Sequence, residues 1–144
     1  MSHISLVTLG VDDLVRATTF YEALGWRRSS ASVDGTVAFL TGGTVALALW
    51  GRDDLAEDAR IEVAGRHTHG DIALAINLDS EASADALLAS AAAAGARITK
   101  PAQRADWGGY SGYFQDPDGH LWEVAHNPSF ARHPDGRIEL PHDE

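Results

Sequence analysis

Cysteine is absent from this chain of 144 residues. That rules out disulfides, thiolate metal sites and a cysteine nucleophile. Basic residues are scarce: 11 Lys and Arg stand against 21 Asp and Glu, a net charge of −10. Binding phosphate backbones requires clustered Lys and Arg, so nucleic acid and anionic membrane are not expected partners. The same imbalance weighs slightly against a polyanionic substrate. No apolar run approaches the ~20 residues that span a bilayer. No basic region followed by an apolar stretch marks a signal peptide. A cytoplasmic protein is the expectation. Gly-x-Ser-x-Gly and Gly-x-x-x-x-Gly-Lys are both missing, which leaves serine-hydrolase and phosphate-loop chemistry without support.

What is present reads as one ordinary globular domain. Hydrophobic residues make up 44% and charged residues 22%, enough apolar content for a real core at this length. Ile4 to Val11 is β-branched and leucine-rich and predicts a strand. Asp12 or Asp13 caps a helix running to about Leu24, and Gly25 ends it. Strands follow over Trp26–Val33, Thr36–Leu40 and Thr44–Trp50, with Asp34-Gly35 and Gly42-Gly43 as turns. Residues 53–68 form a polar linker with room for a short helical turn. Ile72 to Leu78 is again a strand, Asp79-Ser80 a cap, and Glu81 to Ala94 an alanine-rich helix stopped by Gly95. Arg97–Thr99, Gly109–Gln115 and His120–His126 are the last strands, and the proline-bearing tail is irregular. The order strand, helix, three strands therefore occurs twice, as a repeated βαβββ unit. We place module one at 1–52, the linker at 53–68, module two at 69–128 and a tail at 129–144, with 1–128 as a single domain. The fold class is α+β, two βαβββ modules forming a concave, mostly antiparallel sheet whose hollow is the natural pocket.

The run Asp116-Pro117-Asp118-Gly119-His120-Leu121-Trp122-Glu123-Val124 carries the most information. Asp-Pro-Asp-Gly is a tight turn, because proline presets φ and glycine accepts the positive φ that follows. Alternation after it sends Trp122 and Val124 to an apolar back face and Leu121, Glu123 and Ala125 to the front. A carboxylate among apolar neighbours is costly unless it is hydrogen-bonded, paired or metal-bound. Glu123 is therefore either a solvated strand residue or part of a site, and the run alone weighs the two evenly. The aromatic segment Trp107-Gly108-Gly109-Tyr110-Ser111-Gly112-Tyr113-Phe114 is the second feature. Glycines beside rings leave space for a ligand or another backbone. The alternative is that the rings fill the core with glycines at bulges. Tyr113 and Phe114 point to opposite faces, so one pocket takes at most one of them. Trp107 and Tyr110 are expected near a pocket mouth. Trp50, at the matching end of module one, is either a second wall or a core residue.

The stretch Leu6-Val7-Thr8-Leu9-Gly10-Val11-Asp12-Asp13-Leu14, with Phe20-Tyr21 and Leu24-Gly25-Trp26, resembles the opening of a vicinal oxygen chelate protein. Tyr113-Phe114-Gln115-Asp116-Pro117-Asp118-Gly119-His120-Leu121-Trp122-Glu123-Val124 resembles the end of that superfamily's second module. Glyoxalase I, the bleomycin-resistance proteins and the extradiol dioxygenases belong to it, and the similarity covers about residues 4–126. The resemblance implies paired βαβββ modules, a pocket for a small molecule and a homodimer. It also implies a divalent metal such as Ni, Zn, Mn or Fe, held by His or Gln early and Glu late in each module. Here the first histidine place falls on Leu6, the first acid place near Ala48 or Trp50, and the second histidine place on Asp71. Only Glu123 matches outright. Carboxylates without imidazole suit Fe, Ni and Zn poorly.

His67, His69 and Asp71 recur at period two. On a strand they would share a face and, with Glu123, complete a metal set; between Gly65 and Gly70 they read instead as a solvated loop, which we favour. His3, His120, His126, His133 and His142 have no partner that spacing identifies. Three functions stand. The favoured one is a metal-free binding protein that holds a small aromatic or cationic molecule with Thr8, Trp50, Asp71, Trp107, Tyr110, Tyr113 and Glu123. The second is a metal-dependent lyase, isomerase or dioxygenase acting on vicinal oxygens, with Glu123 as ligand or base. The third is a metal-free enzyme in which Glu123 or Asp71 abstracts a proton.

Overall fold

The computed structural model describes residues 3–62 and 72–141. Module one runs β1 (Leu6–Val11), α1 (Leu14–Ala23), β2 (Arg27–Arg28), β3 (Val37–Thr41) and β4 (Ala46–Gly51). A helix α2 (Arg52–Ala59) follows. Module two runs β5 (Leu74–Asn77), α3 (Glu81–Ala93), β6 (Arg97–Arg104), β7 (Tyr110–Gln115) and β8 (Leu121–His126). Two short strands, β9 (Ala131–Arg132) and β10 (Ile138–Glu139), pair as a final hairpin.

The repeat is complete in the topology. Module one forms a sheet in the order β1-β4-β3-β2, and module two the order β5-β8-β7-β6. In each, the first strand runs parallel to the last, and the remaining pairs are antiparallel. The two sheets are not joined edge to edge. They share the layer between them, where Leu9, Val11, Leu40 and Leu49 of the first meet Phe114, Trp122 and Val124 of the second. The helices fill this layer. Asp13 caps α1 by accepting the Arg16 N–H, and Ala17, Phe20 and Tyr21, three and four apart, form its buried stripe. Ser80 caps α3 in the same way, and Ala84, Leu88 and Ala91 are buried along it. Gly25 and Gly95 close the two helices at φ of 100° and 110°, the left-handed region that glycine enters freely. Phe114 and Trp122 stack at 6.1 Å, and the Phe20 and Tyr21 rings pack against them.

Four local expectations change. The strand expected over Trp26–Val33 shortens to Arg27–Arg28, because Ser29 and Ser32 turn the chain toward Phe39. The polar stretch after Gly51 forms α2, with Asp53 and Asp54 in its first turn, where they complement the helix dipole. Ala56 of that helix is buried, and Gly10 has no Cβ because Arg52 and Leu55 approach to 3.3–3.6 Å of where it would stand. Strand β6 extends through Pro101 to Arg104. It is an edge strand with two register shifts, so the missing proline N–H breaks no ladder. The tail folds into the β9–β10 hairpin because Asp135-Gly136 makes a turn with Gly136 at φ 94°.

Candidate functional site

The Asp-Pro-Asp-Gly turn is a rigid joint between the modules. Asp116 Oδ1 accepts the N–H groups of Asp118 and His120 at 2.9 and 2.8 Å. Its Oδ2 accepts the Tyr21 hydroxyl at 2.5 Å, and the Trp122 indole N–H donates back to that hydroxyl at 3.1 Å. Burial, then the Asp116 carboxylate, pushes the Tyr21 pKa far above the usual phenol value. Asp118 reaches into module one, where its Oδ1 accepts the Asp12 N–H at 2.9 Å and the Arg16 guanidinium at 3.1 Å. The His120 ring lies 2.8 Å from the Gly10 carbonyl oxygen. Sequence reasoning saw this turn as local punctuation. Its side-chain partners lie about a hundred positions away in module one, which spacing cannot reveal.

From this joint β8 departs with the expected alternation. Trp122 and Val124 are buried in the shared core, and Glu123 is half-exposed on the outer face of the second sheet. Tyr113 stands opposite Glu123 on β7, and its hydroxyl donates to Glu123 Oε2 at 2.7 Å. That hydrogen bond, followed by burial and the carboxylate charge, raises the Tyr113 pKa. On the other side Glu123 faces Ala75 of β5. Ser111 and Ala125 form the next cross-strand pair on this face. Of these small neighbours Ser111 and Ala125 are buried and Ala75 is exposed, so the pair is accessible on its β5 side. No described cation lies within salt-bridge distance of Glu123.

The other candidates disperse. Thr8 and Trp50 both sit on the outer face of the first sheet, Thr8 beside Ala48 and Trp50 beside Gly10. Since the two sheets turn their inner faces to one core, that outer face looks away from Glu123 within the chain. Tyr110 occupies the inward register of β7. It packs against the core and donates to Asp85 of α3 at 2.5 Å. One pocket therefore cannot hold both Tyr110 and Tyr113. Trp107 is 60% exposed, its ring folded over Gly109 so closely that a Cβ there would overlap it. His67, His69 and Asp71 lie outside the described residues. Among those described, no group of three or more His, Asp or Glu side chains is placed to hold a metal ion. Glu123 alone of the expected metal set is described, and one carboxylate beside a phenol does not fit a divalent metal by itself.

The sequence matches the profile of the glyoxalase/bleomycin resistance protein/dioxygenase superfamily over residues 2–124. A glyoxalase-related enzyme from Fulvimarina pelagi has a similar structure, with a TM-score of 0.88 and 33% identity over 99% of this chain and 100% of that one. A glyoxalase/bleomycin resistance protein/dioxygenase from Nocardioides superposes with a TM-score of 0.73 at 26% identity, covering 88% of this chain and 83% of its own. A lactoylglutathione lyase from Agrobacterium tumefaciens reaches 0.66 at 26% identity over 88% and 95% of the two chains. No curated protein sequence matches. Two βαβββ modules in the same strand order, the family profile along most of the chain and the likeness to the Fulvimarina enzyme lead to one conclusion: the chain belongs to the glyoxalase/bleomycin resistance protein/dioxygenase superfamily.

Proposed function

We propose that this protein binds a small aromatic or cationic molecule on the outer face of its second sheet, with Glu123 and Tyr113 as the polar centre. The observation that carries the reading is the state of Glu123. One of its oxygens is held by the Tyr113 hydroxyl, and its cross-strand neighbour on the β5 side is the exposed, small Ala75. A fixed carboxylate with a free lone-pair side recognises a cation or an N–H donor, and the small neighbours admit a flat body beside it. Family membership supports a small-molecule ligand. Homodimerisation belongs to the same proposal. Strands β1 and β5 are both sheet edges, and Ile4, Leu6 and Ile72 beside or along them are exposed. A second copy covering such edges removes a pairing liability and walls the outer faces.

A thermal-shift screen of the wild type and Glu123→Gln against small aromatic cations tests the reading, because a ligand specific to the folded state raises its stability. Compounds that raise the Tm of the wild type and not of the variant support it. Ni²⁺, Zn²⁺, Mn²⁺ and Fe²⁺ run in the same plate, alongside metal analysis of the purified protein. Near-stoichiometric metal whose retention depends on Glu123 would replace this reading with the metal-dependent enzyme.

A further inference from the structure

On the inward side of the two sheets, a cleft of about 730 Å³ runs between the two modules. Val7 and Leu47 line it from the first sheet, Leu74 and Ile76 from the second, and Trp26 and Trp122 also border it. The strand residues Val7, Leu47, Leu74, Ile76 and Trp122 hold the inward register, so the cleft opens into the shared apolar layer, while Ala75 and Asn77 border it along β5. The C-terminal hairpin forms a further wall, and Arg132 stands on it. The Arg132 Nε–H donates to the Asn77 carbonyl at 2.9 Å, which fixes the guanidinium at the rim. Trp26 is held as a wall by a specific absence. Gly42 has no Cβ, and one built there would lie 2.8–2.9 Å from the indole carbons. The ring is thus packed flat against the 42–43 turn instead of swinging across the opening.

We propose that this cleft is a second ligand site, for a slender apolar molecule ending in a carboxylate. Three observations choose that occupant. The volume lies within the range of roughly 300–1,000 Å³ typical of small-molecule sites. The lining reaches Trp122, which is only 4% exposed, a depth open to a narrow chain and closed to a flat protein surface. The rim carries one guanidinium, suited to a planar anion. Asp135, the acid on the same rim, accepts the Arg137 N–H within its own turn, and Asp79, the other carboxylate near Arg132, accepts the Ser83 hydroxyl at 2.8 Å. Neither Glu123 nor Tyr113 lines the cleft, and Ala75 is the one neighbour of that pair that borders it.

Decanoate and decanol serve as probes, with intrinsic tryptophan emission of the full-length protein as the readout. Decanoate is expected to change the emission saturably. Arg132→Gln should weaken decanoate by about tenfold and leave decanol unmoved, since only one probe carries the charge. Val45→Trp fills the cleft from its partly exposed rim and should abolish both, with circular dichroism confirming the fold. Glu123→Gln should leave decanoate binding unchanged, so failure here and failure of the proposed function are separable. The proposal falls if decanoate gives no saturable change, or if neither Arg132→Gln nor Val45→Trp alters it. It falls equally if Val45→Trp converts a dimeric wild type to a monomer, because the cleft would then belong to a second copy.

Discussion

Tyr113 and Glu123 face each other across β7 and β8, and the phenol donates to the carboxylate at 2.7 Å. The bond favours the neutral phenol, so it raises the Tyr113 pKa. Tyr113→Phe should remove one late-titrating tyrosine from the alkaline absorbance titration. Loss of a tyrosine with ordinary titration would mean that the pair is not formed in solution. A double-mutant cycle with Glu123→Ala, which removes the acceptor, should return a coupling of about 1 kcal/mol, the usual net worth of such a bond.

The Tyr21 hydroxyl sits between Asp116 and Trp122 in the buried joint, and its pKa is raised, chiefly by burial. A raised folded-state phenol pKa means that the native state holds its proton where the unfolded chain has released it. That contribution is complete below the unfolded value of about 10 and is lost as pH climbs beyond it. Stability should therefore fall with rising pH above about 10, and Tyr21→Phe should flatten that fall. At neutral pH the same substitution leaves the Trp122 N–H and an Asp116 oxygen unpaired. We expect a loss of about 2–4 kcal/mol by urea denaturation, from two unsatisfied buried groups. A loss below about 0.5 kcal/mol would show that water replaces the hydroxyl freely.

Much of this fold was legible because its cues are local. Asp13, Gly25 and Gly95 act as the helix punctuation their residue types imply, and the alternation of Trp122, Glu123 and Val124 gave each its face. The α2 helix was expected only as a short helical turn because its stretch is nearly all polar, and its stability comes from a buried Ala56 and an acidic first turn rather than an apolar stripe. The site was only partly legible. Glu123 and Tyr113 are neighbours across one hairpin, yet Tyr110 points the other way, a consequence of strand parity that the aromatic clustering obscured. The joint of Asp118 with Arg16 and Asp12 and the cleft between the modules depend on how two distant segments pack. No periodicity encodes that.

Asp118 bonds module two to module one through Oδ1, while its Oδ2 is buried with no partner among the described residues. Asp118→Ala removes the acceptor of the Asp12 N–H and should cost about 2 kcal/mol. Asp118→Asn keeps that acceptor and exchanges the buried, unpartnered oxygen for an uncharged amide. Its cost should stay within about 1 kcal/mol, because the lost ion pair involves an Arg16 side chain that is 48% exposed. Chemical denaturation of both variants decides the matter. Equal losses from Asn and Ala would mean that the charge, and not the backbone hydrogen bond, holds the joint.

Two glycines of the aromatic segment separate backbone crowding from side-chain crowding. At Gly112 an added Cβ would stand 2.8 Å from the Ala102 nitrogen and the Lys100 carbonyl oxygen, and 2.9 Å from Leu88 Cδ1. The first two belong to the bulged edge strand, so relief requires moving β6 away from β7. At Gly109 the obstacle is the Trp107 ring, nominally closer, but that ring is 60% exposed and can rotate into solvent. Gly112→Ala should therefore cost about 2–3 kcal/mol, the upper range for overpacking, while Gly109→Ala should cost less than about 1 kcal/mol. Trp107 emission should shift to the red in the Gly109 variant as its indole leaves the backbone. If Gly109→Ala proves the more damaging, the indole is held in place by contacts beyond this face, and Trp107 belongs among the fixed parts of the structure.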